Sequence, residues 1–252
     1  MIKRAFNVKI NLREMNEYLD GDTSLSASVD AFSKKINDLL EKDNIDGDLL
    51  SNSLFEFEDV DAFISYSHND IELAKAFAKF LHLSFGFKVF IDCYSWKSSD
   101  SLLQKIDDKF CKNNDGRYDY VKRNLSTSHV HSMLSVAILK QISQSKLVFF
   151  LNTNNSVPTT KLMMTDKNKT SSPWIYEEML FTNILLSVNK QACDYLLTEH
   201  LHFQDSFPKI SYNLPMDNFV NISYADLCSL KQRVSNGLDS VQLFASYQKG
   251  QK

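Results

Sequence analysis

The sequence predicts an α/β protein built on a parallel central sheet with helices on both faces. Three observations lead there. From residue 59 onward, segments of strand and helix periodicity alternate along the chain. The strand segments are continuous apolar runs, such as Leu147-Val148-Phe149-Phe150-Leu151, which suit strands buried on both faces. The composition is that of a globular chain: 43% apolar and 23% charged over 252 residues, enough to bury a core without disulfides or metals.

Residues 5–12 alternate, with Phe6, Val8, Ile10 and Leu12 on one face and Asn7, Lys9 and Asn11 on the other, the pattern of a half-buried strand. A polar loop around Gly21 follows, then helical spacing at Val29, Phe32, Ile36, Leu39 and Leu40. The turn-rich stretch 44–52 closes an N-terminal α+β extension, residues 1–58, whose strand is a candidate for the sheet edge.

Val60 to Tyr66 forms the first core strand and stops at Ser67-His68-Asn69-Asp70. Ile71, Ala74, Phe77, Ala78 and Leu81 predict a helix that Gly86 ends. Phe87 to Asp92 is the second strand. The segment 93–130 is a long polar insertion with a local helical repeat at Leu102, Leu103, Ile106 and Phe110. Helical spacing resumes at Met133, Leu134, Ala137, Ile138 and Ile142, before the third strand at 147–151. Ser172-Pro173 opens a helix running to about Val188, because serine caps and proline fits the first helical position. Between 209 and 222, alternating apolar residues flanked by prolines read as one or two short edge strands. Ser223-x-x-Asp226 resembles a capping box for a last helix within a domain spanning 59–240, and 241–252 is a tail.

Composition excludes several functions. Lysine and arginine total 28 against 31 acids, a net charge of −3, which disfavours broad nucleic-acid binding. The six glycines are dispersed, so neither G-x-G-x-x-G nor a P-loop is present. The four cysteines, Cys93, Cys111, Cys193 and Cys228, form no C-x-x-C pair and read as reduced thiols in a cytoplasmic protein. No apolar run reaches membrane length, and the N-terminus carries no apolar signal core. The pairs His129-x-His131 and His200-x-His202 could chelate a metal on a strand, but no further ligands complete a site, so no metal is expected.

Four segments in order resemble a TIR (Toll/interleukin-1 receptor) domain. Asp61-Ala62-Phe63-Ile64-Ser65-Tyr66-Ser67-His68-Asn69-Asp70 looks like its opening strand. Gly86-Phe87-Lys88-Val89-Phe90-Ile91-Asp92 resembles its second strand, with the aspartate that leads into the BB loop. Ser143 to Leu151 resembles the end of its second helix and its third strand, and Ser172-Pro173-Trp174-Ile175-Tyr176-Glu177-Glu178 the start of its third helix. The whole is similar to bacterial TIR proteins of phage defence, including those of Thoeris systems.

The resemblance implies a flavodoxin-like fold and cleavage of NAD+ at the nicotinamide–ribose bond. The product would be ADP-ribose or a cyclic or modified ADP-ribose signal. NAD+ is the substrate, and no cofactor is expected. The alternative is a non-catalytic TIR interaction module. The resemblance further implies a homo-oligomer joined through BB-loop contacts and a downstream effector that senses the product, with neither nucleic acid nor membrane as partner.

The family's catalytic glutamate lies four residues after the tryptophan, which is Glu178. Nicotinamide leaves as a neutral group, so the demand is to stabilise positive charge on the ribose, as in glycoside hydrolysis. One carboxylate held against the sugar meets it. Trp174 shares a helix face with Glu178 and could wall the site. Glutamates in a first turn also serve the helix dipole, and tryptophans are often core. Tyr66, Ser67 and Asp70 follow the first strand at the carboxyl edge, where open α/β sheets bind ligands. Ser67 stands where several NAD-cleaving members carry a basic residue. Phe90 and Asp92 precede the BB loop, and Trp96 within it could stack on adenine or pack under the insertion. The 93–130 segment is far longer than an ordinary BB loop and is expected to cap the site or join protomers. A phospho-acceptor pocket using Asp59, Asp61 and Asp92 is a poor reading, because the third strand ends in Leu151-Asn152 and not in an aspartate.

Overall fold

The computed structural model describes residues 2–19, 36, 38–40, 45–92, 99–158, 169–188, 211–234 and 239–248. Two compact units are present: Met1–Leu19 with Asp59–Val89 and Ile142–Lys252, and Asp20–Glu58 with Phe90–Gln141.

The first unit is built on strands β1 (Arg4–Lys9), β2 (Ala62–Ser65) and β4 (Leu147–Leu151), with β3 (Val89–Phe90) at its boundary, since Phe90 is counted in the second unit. Two further strands, β5 (Lys169–Thr170) and β6 (Tyr212–Asn213), pair antiparallel in a small separate ladder, and β7 (Phe219–Ser223) returns to the main sheet. The main sheet runs β3-β2-β4-β1-β7, and its β2–β4, β4–β1 and β1–β7 pairings are parallel. The α/β architecture expected from the alternating pattern is therefore present.

β1 departs from its expectation. It lies inside the sheet between β4 and β7, and β7 takes the edge. Ala5, Phe6, Asn7 and Val8 are all buried, so both faces of β1 are covered. Alternation misreads it because Asn7, a polar residue, satisfies its amide inside the sheet. The chain thus enters at the fourth position of the sheet and crosses β4 to form β2 next.

Helix α1 (Gly47–Leu54) belongs to the second unit, and α2 (Ile71–Phe85) to the first. Leu73, Ala74, Phe77, Phe80 and Leu81 give α2 its buried stripe. It ends where Gly86 adopts φ +70° and its N–H reaches the His82 carbonyl, a left-handed cap that costs glycine nothing. A cluster of phenylalanines covers one sheet face. Phe6 stacks on Phe149 at 5.2 Å, while Phe77 and Phe244 each set an edge against Phe149 at 5.6 Å.

At the amino end of the sheet, Asp61 ties three strands together. Its backbone meets Lys88, Lys146 and Leu147, and its carboxylate accepts from Lys146 Nζ at 2.7 Å and Lys88 N at 3.1 Å. It therefore lies at the opposite end of the sheet from a phospho-acceptor. Burial pushes the Asp61 carboxyl up, but the Lys146 ammonium and the Lys88 N–H outweigh it and hold it below the ordinary 3.8. A lowered folded value contributes stability that is present above the unfolded value and lost as pH falls through the folded one. Asp61→Asn is expected to cost about 1 kcal/mol at pH 7, discounted for the exposure of Lys146. Denaturant titrations should show the gap between variant and wild type holding at pH 5 and closing below pH 3.8. A gap that stays constant into strong acid would assign the cost to packing.

The second unit contains α1, α3 (Ser99–Phe110) and most of α4 (Tyr120–Gln144). The described part of the 93–130 insertion is thus a helix at the expected repeat of Leu102, Leu103, Ile106 and Phe110, then a tight hairpin and the first turns of a 25-residue helix. Asp119 opens α4 by accepting the Lys122 N–H at 3.0 Å. The stretch Asn124-Leu125-Ser126-Thr127-Ser128 has poor helix propensity, which hides the first turns of α4 from a periodicity reading, whereas its second half carries the helical spacing read from Met133 to Ile142. Tertiary bonds hold it. Buried Asp107 of α3 accepts from Ser126 Oγ at 2.5 Å and Arg123 Nε at 2.9 Å. Arg123 also stacks over Tyr118 at 5.1 Å, and Tyr118 donates to Asp108. A groove of about 440 Å³ between α1 and α4 is lined by Asp46, Ser51, His129, Met133 and Lys140.

The remaining helices, α5 (Pro173–Val188), α6 (Tyr224–Val234) and α7 (Ser240–Ala245), belong to the first unit. Ser223 and Asp226 form the expected reciprocal cap of α6. Among the described residues, no helix is long and apolar enough to cross a membrane.

Candidate functional site

Sheet topology singles out one place. After β2 the chain goes to β3 on one side and then to β4 on the other. Strand order reverses there, and in open parallel sheets the connections then part to leave a crevice beyond the carboxyl ends of the two strands. The last residue of β2 is Ser65, and the first beyond β4 is Asn152.

α5 brings Glu178 to this end of β2. Ser172 starts the helix, its hydroxyl accepting the Ile175 N–H at 3.3 Å and its carbonyl the Tyr176 N–H at 3.2 Å. Proline at the next position needs no partner for a missing N–H. Tyr176 stacks on Tyr212 of β6 at 4.6 Å and 17°, which steadies the first turn. Ile175, Met179 and Thr182 are buried, and so is Glu178, at 8% exposure. Ser65 Oγ donates to Glu178 Oε2 at 2.5 Å, joining the carboxylate to the sheet. A buried carboxylate needs such a donor, since desolvation otherwise penalises its charge. Trp174, one turn earlier, is half-buried, and Glu177 is half-buried as well.

Tyr66 and Ser67 follow β2 directly and are half-buried. Ser67 begins a short 3-10 turn, its carbonyl accepting the Asp70 N–H at 2.7 Å. Asp70 is bound up within the protein. Thr153 Oγ1 donates to its Oδ2 at 2.5 Å and Asn155 Nδ2 to its Oδ1 at 2.7 Å. It clasps the loop after β4 to the loop after β2. Phe90 and Asp92 belong to the second unit, where Phe90 is fully buried and Asp92 exposed. Trp96 lies outside the described residues, as do His200 and His202.

Sequence reading missed Ser65 and the asparagines beside it. Asn152 Nδ2 donates to Asn7 Oδ1 at 2.9 Å, and Asn7 Nδ2 donates to Asn221 Oδ1 at 2.6 Å. The available signal was a polar residue at the end of β2 and just after β4; Asn7 lies within β1 and offered no such signal. His129 and His131 lie in α4, where neighbours two apart diverge around the helix, so they make no chelating pair. Among the described residues no cluster of His, Cys, Asp or Glu could hold a metal.

Chemically, the arrangement offers a carboxylate group in a desolvated setting, fixed by a hydroxyl, at the carboxyl end of β2. Such a group stabilises a developing cation more strongly than a solvated carboxylate does. Comparison with protein-family models, curated proteins and solved structures finds no match to this chain.

Proposed function

We propose that this chain is a TIR-type enzyme that cleaves NAD+ at the nicotinamide–ribose bond. The observation that carries the reading is Glu178, buried at 8% exposure and bonded to Ser65 at the carboxyl end of β2. In this reading Glu178 faces the ribose and stabilises the oxocarbenium-like cation as neutral nicotinamide departs. Trp174 walls the sugar, and Tyr66 and Ser67 flank the dinucleotide. Water or a nucleophile of the dinucleotide itself then captures the ribosyl cation, giving ADP-ribose or a cyclic product. Bacterial anti-phage defence is the setting in which such a signal would act, through an effector that senses it.

The same reading takes the working form as a homo-oligomer joined through the 93–130 region. Tyr118, Tyr120, Val121 and Leu125 are exposed there, Tyr120 at 78%. Aromatic residues of this kind dominate interface energetics.

A second reading has its own support. The Ser65–Glu178 bond pins α5 to β2, a purely structural service, and would suit a TIR interaction module without turnover. One assay separates the two. Purified protein at high concentration is incubated with NAD+ and free nicotinamide is measured. Release above the spontaneous rate, with specific activity rising with protein concentration, is expected. Absence of release at every concentration would leave the module.

A further inference from the structure

One face of the sheet carries polar side chains that the proposed reaction does not use. Register partners in a parallel sheet share a face. Ser65, Phe150, Asn7 and Asn221 align across β2, β4, β1 and β7, so they lie on one side. Asn152 stands two residues beyond Phe150, and its N–H bonds the Val8 carbonyl at 2.9 Å, which continues the β4–β1 ladder and puts Asn152 on that side too. Glu178 reaches Ser65 on this same side.

Three side-chain amides there form a directed chain, from Asn152 to Asn7 to Asn221. Asn7, at its centre, is 7% exposed and is held from both sides, accepting on one and donating on the other. An apolar residue would fill the same interior position with no polar group to desolvate. What the amides add is orientation, because each fixes which way the next one faces. Breaks with local sequence rules of this sort gather at functional sites. The consequence falls on Asn152. Its Nδ2 is committed to Asn7, so its Oδ1, on the other arm of the planar amide, is turned away from Asn7 as an acceptor. With neighbouring strands ~4.8 Å apart and a rise of ~3.3 Å per residue, the Cα atoms of Ser65 and Asn152 lie about 8 Å apart. A pyridinium ring with its 3-carboxamide is of that scale.

We propose that Asn152 Oδ1 reads a primary carboxamide on the ligand, with Asn7 and Asn221 as the positioning residues that hold it. The proposal rests on the dinucleotide reading above and adds a specificity to it. An acceptor oxygen attracts the –NH2 of nicotinamide and repels the carboxylate that replaces it in the acid analogue, nicotinic acid adenine dinucleotide.

Calorimetric titration of the full chain with each dinucleotide tests this, and turnover is scored separately as nicotinamide release. Wild type should bind NAD+ at least about 10-fold more tightly than the acid analogue, and Asn152→Ala should bring the two within about 2-fold. Equal affinities in wild type, a result that needs no variant to fold, overturn the proposal. So do an inverted preference, a preference that survives in folded Asn152→Ala, and binding of neither dinucleotide. A chain that binds with the expected preference yet releases no nicotinamide keeps this proposal and removes the proposed reaction. A chain that releases nicotinamide without preference does the reverse.

Discussion

Glu178→Gln is expected to reduce nicotinamide release by about 100-fold or more, the scale of losing a principal charge that stabilises the transition state. Glutamine keeps the length of the side chain and a carbonyl oxygen, so the bond from Ser65 Oγ can persist. What it removes is the charge. Thermal stability should therefore change little, and the substitution separates chemistry from folding. Glu177→Gln is the matched control. Glu177 lies one position earlier on the same helix and is half-buried, so both changes alter the first turns of α5 alike. Only the residue bonded at the β2 end should matter. Wild-type turnover in Glu178→Gln would end its assignment as the catalytic carboxylate. Comparable losses in both variants would trace the effect to the charge near the helix start.

Much of the fold was legible because its signals are local. β4 occupies the five apolar residues read as a strand, and α2 ends at Gly86 as its periodicity and the glycine indicate. The start of α5 and the cap of α6 are short-range hydrogen-bond patterns, written in Ser172-Pro173 and Ser223-x-x-Asp226. What was not legible depends on partners distant in sequence. Asn7 reads as solvent-facing until Asn152 and Asn221 are known to flank it, 145 and 214 positions away. That one residue decides whether β1 is a half-buried edge strand or an interior one. The first turns of α4 are hidden in the same way, since Asp107 supplies from another helix what Ser126 and its neighbours lack in propensity. In the site, Glu178 could be picked out by its place after Trp174, but its link to the sheet could not. Ser65 is only the last residue of an apolar strand until the register sets it beneath α5.

Phe149→Ala is expected to be the most destabilising single substitution considered for this chain, at about 4 kcal/mol. Phe149 is fully buried near the middle of β4 and touches Phe6, Phe77 and Phe244, so its ring joins β1, α2 and α7. Three properties of the site keep the cost high. Phe6 and Phe77 sit on a strand and a long helix whose backbones are held by their own hydrogen bonds, so neither can move inward to fill the space. The ring partners Phe6, Phe77 and Phe244 are apolar and offer a water placed in the void no hydrogen bond. The edge-to-face contacts that Phe77 and Phe244 make with the lost ring add to the burial term. On the size of this unit the loss corresponds to a fall in Tm of roughly 8–16 °C. Phe110→Ala is the comparison: Phe110 is 39% exposed at the end of α3, and its removal should cost no more than about 0.5 kcal/mol. Phe244→Ala carries the argument further. Phe244 meets Phe6, Phe85, Phe87 and Phe149, with centroids at 4.9 Å from Phe85. Because the two rings touch, deleting both opens one shared cavity, and the double variant should cost less than the sum of the singles by about 0.5 kcal/mol or more. Additive costs would mean that the rings pack independently, and a cost below about 1 kcal/mol for Phe149→Ala would show a core able to close around the gap.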